Sequence, residues 1–458
     1  MSNFWLIPQQ ASKSLKKDEQ RARKEYEVPQ KEESSPSKQA CAHLQVHAED
    51  PHTQSFAQLL ESLIPAAPKE PPPHTTLQGA PLAHLEYKLE LELKNRALEA
   101  FWQRHGLPGR IEPLRASPLP RHYRTTSKRR AAWRRGTLYL HLAGQNPSQQ
   151  KQPFLSSPLE PESHGRIFRL LRSKISEPPF RLVAKHLNHL IIRGSYAELA
   201  VIFNVDTLNG PLVRKLKLLG EHLQSMDAPV AAAFAYPDPS GSPYYLEGRQ
   251  PAEMSRLKRL FGRQRLMVEH QGQRFLFHPT SFCQVNESVV PLMLQEAKVL
   301  LAPEEEERLL DLYCGFGLFS HFLAPEYKQV MGVEAEGPSI EAAEANKRMS
   351  SAGARTRFRV GRISSQSLEG LLPAPWPGRE AVLLDPPRQG PEDGVIKSLA
   401  RREPKRVLHI HCNADLLPHS LRQWIENGYH PFRAVPVDMF PGTPEIEVLL
   451  ALDRDKAG

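Results

Sequence analysis

Between Leu309 and Leu452 the sequence falls into short apolar runs: Leu309–Leu312, Gln329–Val333, Phe358–Val360, Ala381–Leu384, Val407–His411, Phe432–Val437 and Ile446–Leu452. Amphipathic stretches of helical period separate most of them. Runs this short and this continuously apolar suit strands buried on both faces, and the alternation with helices is what a parallel sheet requires. No helical pattern separates the last two runs, so the sheet is expected to close with an antiparallel hairpin. The expectation is an α/β domain with a doubly wound, mostly parallel seven-stranded sheet. In such sheets ligands bind beyond the carboxyl ends of the strands, and the residues following each run are where chemistry should be sought.

The first run continues as Asp311-Leu312-Tyr313-Cys314-Gly315-Phe316-Gly317 and leads into a helix beginning near Leu318. Glycines at this turn let the backbone approach a ligand. The second run ends in Glu334, where a carboxylate can accept hydrogen bonds from both ribose hydroxyls of a nucleoside. Ser320 stands at the third position of the pyrophosphate-binding glycine fingerprint. A cofactor without phosphates needs no such cradle, which favours S-adenosylmethionine over NAD. The fourth run leads to Asp385-Pro386-Pro387-Arg388, where paired prolines stop the strand and stiffen the turn beside a carboxylate. The fifth ends His409-Ile410-His411-Cys412-Asn413, placing a thiol at the start of a helix that Asn413 could cap. A helix N-terminus is expected to lower the thiol pKa and enlarge the thiolate fraction. The commoner fate of a lone cysteine is burial, and that reading is taken for Cys283 and Cys314.

The whole chain of 458 residues has room for two or three folded units. Residues 1–76 are rich in Lys, Glu, Gln, Ser and Pro and are expected to form a mostly disordered arm, except for an apolar helical stripe at Phe56, Leu59, Leu60, Leu63 and Ile64 that ends at Pro65. A helix from near Leu85 through Leu89, Leu93, Ala97, Ala100 and Phe101, stopping around Gly106, is expected to pack on a central α+β domain spanning 77–285. Alternating segments such as Thr137–Leu142 and Leu199–Phe203 predict an antiparallel sheet there. The net charge of +9 favours a polyanionic partner, and the cations cluster in this domain. Arg121, Arg124, Lys128, Arg129, Arg130, Arg134 and Arg135, interleaved with Tyr123 and Trp133, suit phosphates and unstacked bases, and Arg166, Arg169, Arg172 and Lys174 follow. The four cysteines include no C-x-x-C pair, which points to a reducing, cytoplasmic compartment and away from disulfides or a metal site. No apolar stretch reaches the length of a membrane span. A soluble, monomeric protein is expected.

Together these residues resemble the RNA (uracil-5-)-methyltransferase family. Its motifs stand here as Asp311–Gly317, Gly332–Glu334, Asp385–Gly390, His411–Ala414 and Asp438-Met439-Phe440-Pro441-Gly442-Thr443-Pro444-Glu445-Ile446-Glu447, with Phe282-Cys283-Gln284-Val285-Asn286 ahead of them. The resemblance runs from roughly Pro81 onward. It implies a class I methyltransferase fold over 286–458, with S-adenosylmethionine as cofactor and RNA, transfer or ribosomal, as partner. It also implies Cys412 as nucleophile toward C6 of a uracil, Glu447 as the base that removes the C5 proton, and Asp385 against the uracil edge and the cofactor side of the pocket. Gln284, Tyr313, Gly315, Gly317 and Glu334 would bind the cofactor. The target base must leave its stack to reach the thiol.

The sequence departs from the family at several points. Many members hold an iron–sulfur cluster through a C-x-n-C-G-G-C motif; here Leu77-Gln78-Gly79-Ala80 occupies the last four positions, and with too few thiolates no cluster is expected. His411 and Ala414 replace Ser and Pro beside the nucleophile, Glu445 replaces a histidine, and Arg362 stands where an acidic or amide residue usually follows the third strand. The changes beside the nucleophile motivate a second reading, a catalytically silent RNA-binding or folding protein on the same scaffold, against which the retention of Cys412, Glu447, Asp385 and Glu334 speaks. A third reading, an RNA cytosine-5 methyltransferase, keeps the same covalent logic but lacks the T-C-S or P-C setting associated with that class.

Overall fold

The computed structural model describes residues 54–64, 79–143, 152–238, 257–335 and 337–454. Most of the 1–76 arm, Cys41 and Leu77-Gln78 therefore lie outside the described residues. The apolar stripe inside the arm is helix α1 (Phe56–Leu63), opened by a capping box in which the Ser55 hydroxyl accepts from the Gln58 N–H and the Gln58 side chain accepts from the Ser55 N–H. Phe56 meets Phe101 edge-on at 6.4 Å, and its N–H donates to Asp415 Oδ1 at 2.8 Å.

Phe101 belongs to α2 (Tyr87–Arg104), which differs from expectation in both face and neighbour. Its buried face is Glu90, Leu93, Lys94, Ala97, Leu98, Phe101 and Trp102, while Leu89 is exposed. Two charged residues inside the stripe shift its apparent centre, which is why apolar spacing alone misplaces it. The helix packs on the second sheet described below, sharing a core with Leu310, Leu384, Val448 and Leu450, rather than on the central domain.

The central domain contains β1 (Ser127–Arg134), β2 (Thr137–Leu142), α3 (Glu162–Ser176), α4 (Arg181–His186), β3 (Leu187–Gly194), β4 (Leu199–Val205), α5 (Gly210–Gln224), β5 (Val230–Pro237) and β6 (Lys258–Gly262). The strands form one sheet in the order β2-β1-β3-β4-β5-β6. It is not purely antiparallel: β4 and β5 pair in parallel, with α5 as the crossover. Helices α3, α4 and α5 cover one face. A two-stranded hairpin follows, β7 (Leu266–His270) and β8 (Gln273–Phe277).

The second sheet is built from β9 (Arg308–Leu312), β10 (Gln329–Glu334), β11 (Thr356–Val360), β12 (Glu380–Leu384), β13 (Arg406–His411), β14 (Tyr429–Val437) and β15 (Glu447–Arg454). Its order is β11-β10-β9-β12-β13-β15-β14, and β15 runs antiparallel to both neighbours. This is the expected parallel sheet with a terminal antiparallel hairpin. The intervening helices are α6 (Val290–Leu301, before β9), α7 (Leu318–Leu323), α8 (Gly337–Met349), α9 (Leu368–Leu371), α10 (Val395–Ala400) and α11 (Leu417–Glu426). One face of the sheet packs on α1, α2, α10 and α11. The other packs on α6, α7 and the β7–β8 hairpin, in a core continuous with Ile191, Ile202 and Phe234 of the central sheet. Among the described residues no helix is long and apolar enough to cross a membrane.

Candidate active site

The turn after β9 carries the backbone conformations that a ligand cradle demands. Tyr313 has φ +65°, which a residue with a side chain adopts only under constraint. Gly315 has φ +54°, and a Cβ added there would meet nothing within 4 Å, so the backbone faces open space. Gly317, with φ +82°, opens α7. Glu334 lies at the end of β10, where its Oε2 accepts from Gly315 N at 3.2 Å and its Oε1 accepts from Ala335 N at 2.6 Å. The carboxylate is thereby fixed beside the turn. Gly332 keeps the two strands' contents close, because a Cβ there would approach Phe358 to 2.5 Å and Cys314 Sγ to 2.9 Å.

Ser320, at the incomplete glycine position, has a structural role of its own. Its hydroxyl donates to Asp311 Oδ2 at 2.5 Å, while Oδ1 of the same buried carboxyl has no partner. Burial pushes Asp311 up to about 7, with Glu334 adding to the shift and Ser320 opposing it. A carboxyl whose folded pKa is raised gives stability that is complete below its unfolded value and lost as pH rises through the folded one. Relative to wild type, Asp311→Asn should therefore gain stability between pH 5 and pH 8, by on the order of 2 kcal/mol. Denaturant midpoints at the two pH values check this; a difference that stays flat with pH would show that the carboxyl is already ionised at pH 5.

Gln284 and Phe316 line one small pocket together with Cys283, Glu287 and Leu318, which places the Gln beside the glycine turn. Asn346 of α8 braces the opposite side by donating to Phe316 O at 3.0 Å and bonding both backbone groups of Leu276. Cys283 and Cys314 are held as thiols: burial pushes Cys283 up to about 12 and Cys314 well above its ordinary value.

The reacting end is assembled by strand adjacency. His411 of β13 pairs with Val448 of β15, so the next positions along, Cys412 and Glu447, lie opposite each other at the end of this antiparallel strand pair. Leu384 of β12 pairs with Leu312 of β9 and His409 of β13, which sets Asp385 between the glycine turn and the thiol. Cys412 Sγ lies 3.9 Å from Pro386 O. Glu447 is buried, and its Oε2 has no hydrogen-bond partner. Its pKa is raised well above the carboxylate range by burial and by the charge of Asp385. Asp385 is itself pushed up to about 7 by burial and by Asp311 and Glu334.

The thiol departs from expectation. Cys412 is pushed up to about 12, by burial first and then by Glu447 and Asp385, with Arg388 the cation opposing them. Asn413 does act as a cap, accepting from Asp415 N at 3.2 Å, but the turn it caps is the short 3-10 segment Ala414–Leu416, and α11 starts only at Leu417. The helix end is too far away, and too weak against two carboxyls, to lower the thiol.

The altered neighbours have defined places. His411 lies against His409 with ring centroids 3.9 Å apart and the planes tilted by 37°, and burial drives both below the usual imidazole range, His411 to about 4. Both are neutral; Trp424 Nε1 donates to His409 Nδ1 at 3.2 Å. Glu445 forms an ion pair with Arg388. Arg362 is exposed and pairs with Glu392 at 2.6 Å.

The cationic cluster divides by the two-residue period of β1. Lys128, Arg130 and Arg134 share one face. Arg129, on the other, is fully buried, pairing with Glu160 at 2.5 Å and donating to Phe154 O, with the Phe154 and Phe168 rings 4.6 and 4.5 Å from its guanidinium carbon. It holds the domain together and is not an RNA contact. Arg124 forms a bridge with Asn286 just before β1 begins, and exposed Arg135, with φ +46°, lies in the turn at its far end. The basic strand thus starts beside Gln284 and leads away for roughly 30 Å.

Residues 245–372 match the family model described as tRNA (Uracil-5-)-methyltransferase. The chain is 29% identical over 379 residues to the 23S rRNA (uracil(1939)-C(5))-methyltransferase RlmD of Pseudomonas entomophila, covering 81% of this chain and 76% of that protein. It is 26% identical to an RNA methyltransferase of Thermotoga maritima, covering 80% of each. In fold it is similar to the tRNA (uracil-54, C5)-methyltransferase of Pyrococcus abyssi, solved with S-adenosyl-L-homocysteine, at a TM-score of 0.63 and 21% identity, covering 84% of this chain and 87% of that one. Across these matches the chain is similar to RNA (uracil-5-)-methyltransferases, over residues 245–372 by the family model and over most of its length by the relatives.

Proposed function

We propose that this chain methylates carbon 5 of a uridine in ribosomal or transfer RNA, using S-adenosylmethionine and a covalent bond from Cys412 to carbon 6. The observation that carries the reading is the convergence of Cys412, Asp385 and Glu447 on adjacent strand ends, next to the turn that Glu334 closes. The open backbone at Gly315, the fixed carboxylate of Glu334 and the pocket wall at Gln284 fit a nucleoside with an amino-acid tail. When bound, S-adenosylmethionine supplies an electrophilic methyl group.

Carbon 5 of uracil is a poor nucleophile until something adds at carbon 6. Cys412 reacts as the thiolate, its proton having passed to water; Sγ forms the C6–S bond, and the electron pair of the C5–C6 double bond is delocalised over C5 and the O4 carbonyl. Asp385, raised to about 7, can offer a proton or accept one at the uracil edge. After C5 is methylated, Glu447 takes the C5 proton; the electron pair re-forms the C5–C6 double bond and the thiolate leaves. Lys128, Arg130 and Arg134 hold phosphates of the strand that delivers the base, with Arg124 and Arg135 at the two ends of the same track.

Nucleoside mass spectrometry of separated transfer and ribosomal RNA pools, from cells with and without the gene, tests the assignment. The expected result is loss of 5-methyluridine from one pool. Unchanged 5-methyluridine in both pools would overturn it.

A further inference from the structure

The loop that joins β14 to β15 and delivers Glu447 is held by buried charges from α2. Lys94 Nζ donates to Asp438 Oδ1 at 2.8 Å, to Glu90 Oε1 at 2.8 Å and to Phe440 O at 3.5 Å. Glu90 Oε1 also accepts from Gly442 N at 2.6 Å, and its Oε2 accepts from Arg121 at 3.0 Å. Tyr87 OH donates to Asp438 Oδ2 at 3.0 Å and accepts from Ser117 N at 2.7 Å. The loop's carbonyls are taken in turn: Met439 O by Asn286, Pro441 O by Tyr123 and Gly442 O by Leu82 N. Lys94, Glu90 and Asp438 are fully buried.

Burying such a cluster is not a favourable way to gain stability, since apolar packing of the same volume does as well or better. What it provides is one backbone geometry. That matters here because Glu447 Oε2 has no hydrogen bond of its own to orient it, so the carboxylate is aimed chiefly by the loop and strand that carry it. Asn286 ties the same loop to the Gln284 segment, so the base and the cofactor wall are set against a common reference.

We propose that Lys94, Glu90 and Tyr87 are positioning residues for the proton-abstraction step, holding the 438–446 loop so that Glu447 reaches the C5 proton of the methylated adduct. This rests on the covalent reading given above. Loosening the loop slows the step that needs Glu447 and spares the earlier step that needs Cys412.

The two steps separate with 5-fluorouridine RNA, whose C5 carries no removable proton, so that a denaturation-resistant adduct forms once Cys412 has added and C5 has been methylated. For Lys94→Met we expect adduct formation on that RNA within about twofold of wild type, turnover of uridine RNA at least about tenfold slower, KM within about twofold, and accumulation of adduct during uridine turnover. If a folded Lys94→Met slows both reactions in parallel, or neither, the proposal is overturned. Should Lys94→Met fail to fold, Tyr87→Phe, which removes one hydrogen bond and no charge, must show the same split at smaller size, and its absence overturns the proposal equally. If wild type itself forms no adduct with 5-fluorouridine RNA, the covalent reading fails as well, and the two failures are told apart.

Discussion

Cys412→Ala is expected to abolish 5-methyluridine formation, a fall of about 10⁴-fold or more, while leaving cofactor affinity within about twofold. The separation follows from geometry: Cys412 lies just beyond the end of β13 against Pro386 and Glu447, whereas the glycine turn is fixed by Glu334, Gly315 and Asn346. Radiolabelled methyl transfer and calorimetric titration with the cofactor measure the two quantities. Residual 5-methyluridine from the variant would remove the covalent scheme. The wild-type thiol also makes a kinetic demand. With Cys412 at about 12, thiolate is scarce at neutral pH. Adduct formation should therefore quicken by nearly tenfold per pH unit across the neutral range. A rate that does not change with pH would mean that substrate binding itself removes the thiol proton.

Glu447→Gln is expected to leave the enzyme attached to its RNA. The amide occupies nearly the same volume at a buried position whose Oε2 has no partner, so the main loss is basicity. Addition by Cys412 and methylation of C5 proceed, and release slows by about 10²- to 10⁴-fold. A shifted band on a denaturing gel, removed by nuclease and approaching one RNA per enzyme, is the measurement. Recovery of only free RNA, methylated at the wild-type rate, would assign the base elsewhere. The altered neighbours bear on this variant because Arg388, the cation that opposes the raised pKa of both Glu447 and Cys412, is partnered by Glu445.

Much of this was legible in the sequence because it was local. Each strand of the second sheet is a short apolar run, and each strand end carries its own residues, so Tyr313, Glu334, Asp385 and Cys412 could be found one run at a time. The nonlocal features were hidden. Lys94 and Glu90 look like an ordinary helical pair on a solvated face until Asp438, more than three hundred positions away, is set beside them. The cation cluster on β1 reads as one patch in a line of letters, and only the pleat separates buried Arg129 from Arg130. The thiol pKa was misread for a similar reason. The cap at Asn413 is visible locally, but the burial that raises the thiol, and the two carboxyls that add to it from β15 and from the end of β12, come from distant parts of the chain.

The position of β15 between β13 and β14 bears on the cell's risk from incomplete protein. If Cys412 and Glu447 act as proposed, a chain interrupted between β14 and β15 would have a nucleophile and no base to release it, and each copy would be lost on the RNA that it attacks. The same interruption removes the strand that pairs with His411 and leaves β13 and β14 without their shared neighbour. The thiol's own strand then lacks half of its ladder. On that reading the proposed release step and the integrity of the sheet depend on the same eight residues, Glu447–Arg454, so a fragment without them loses both together.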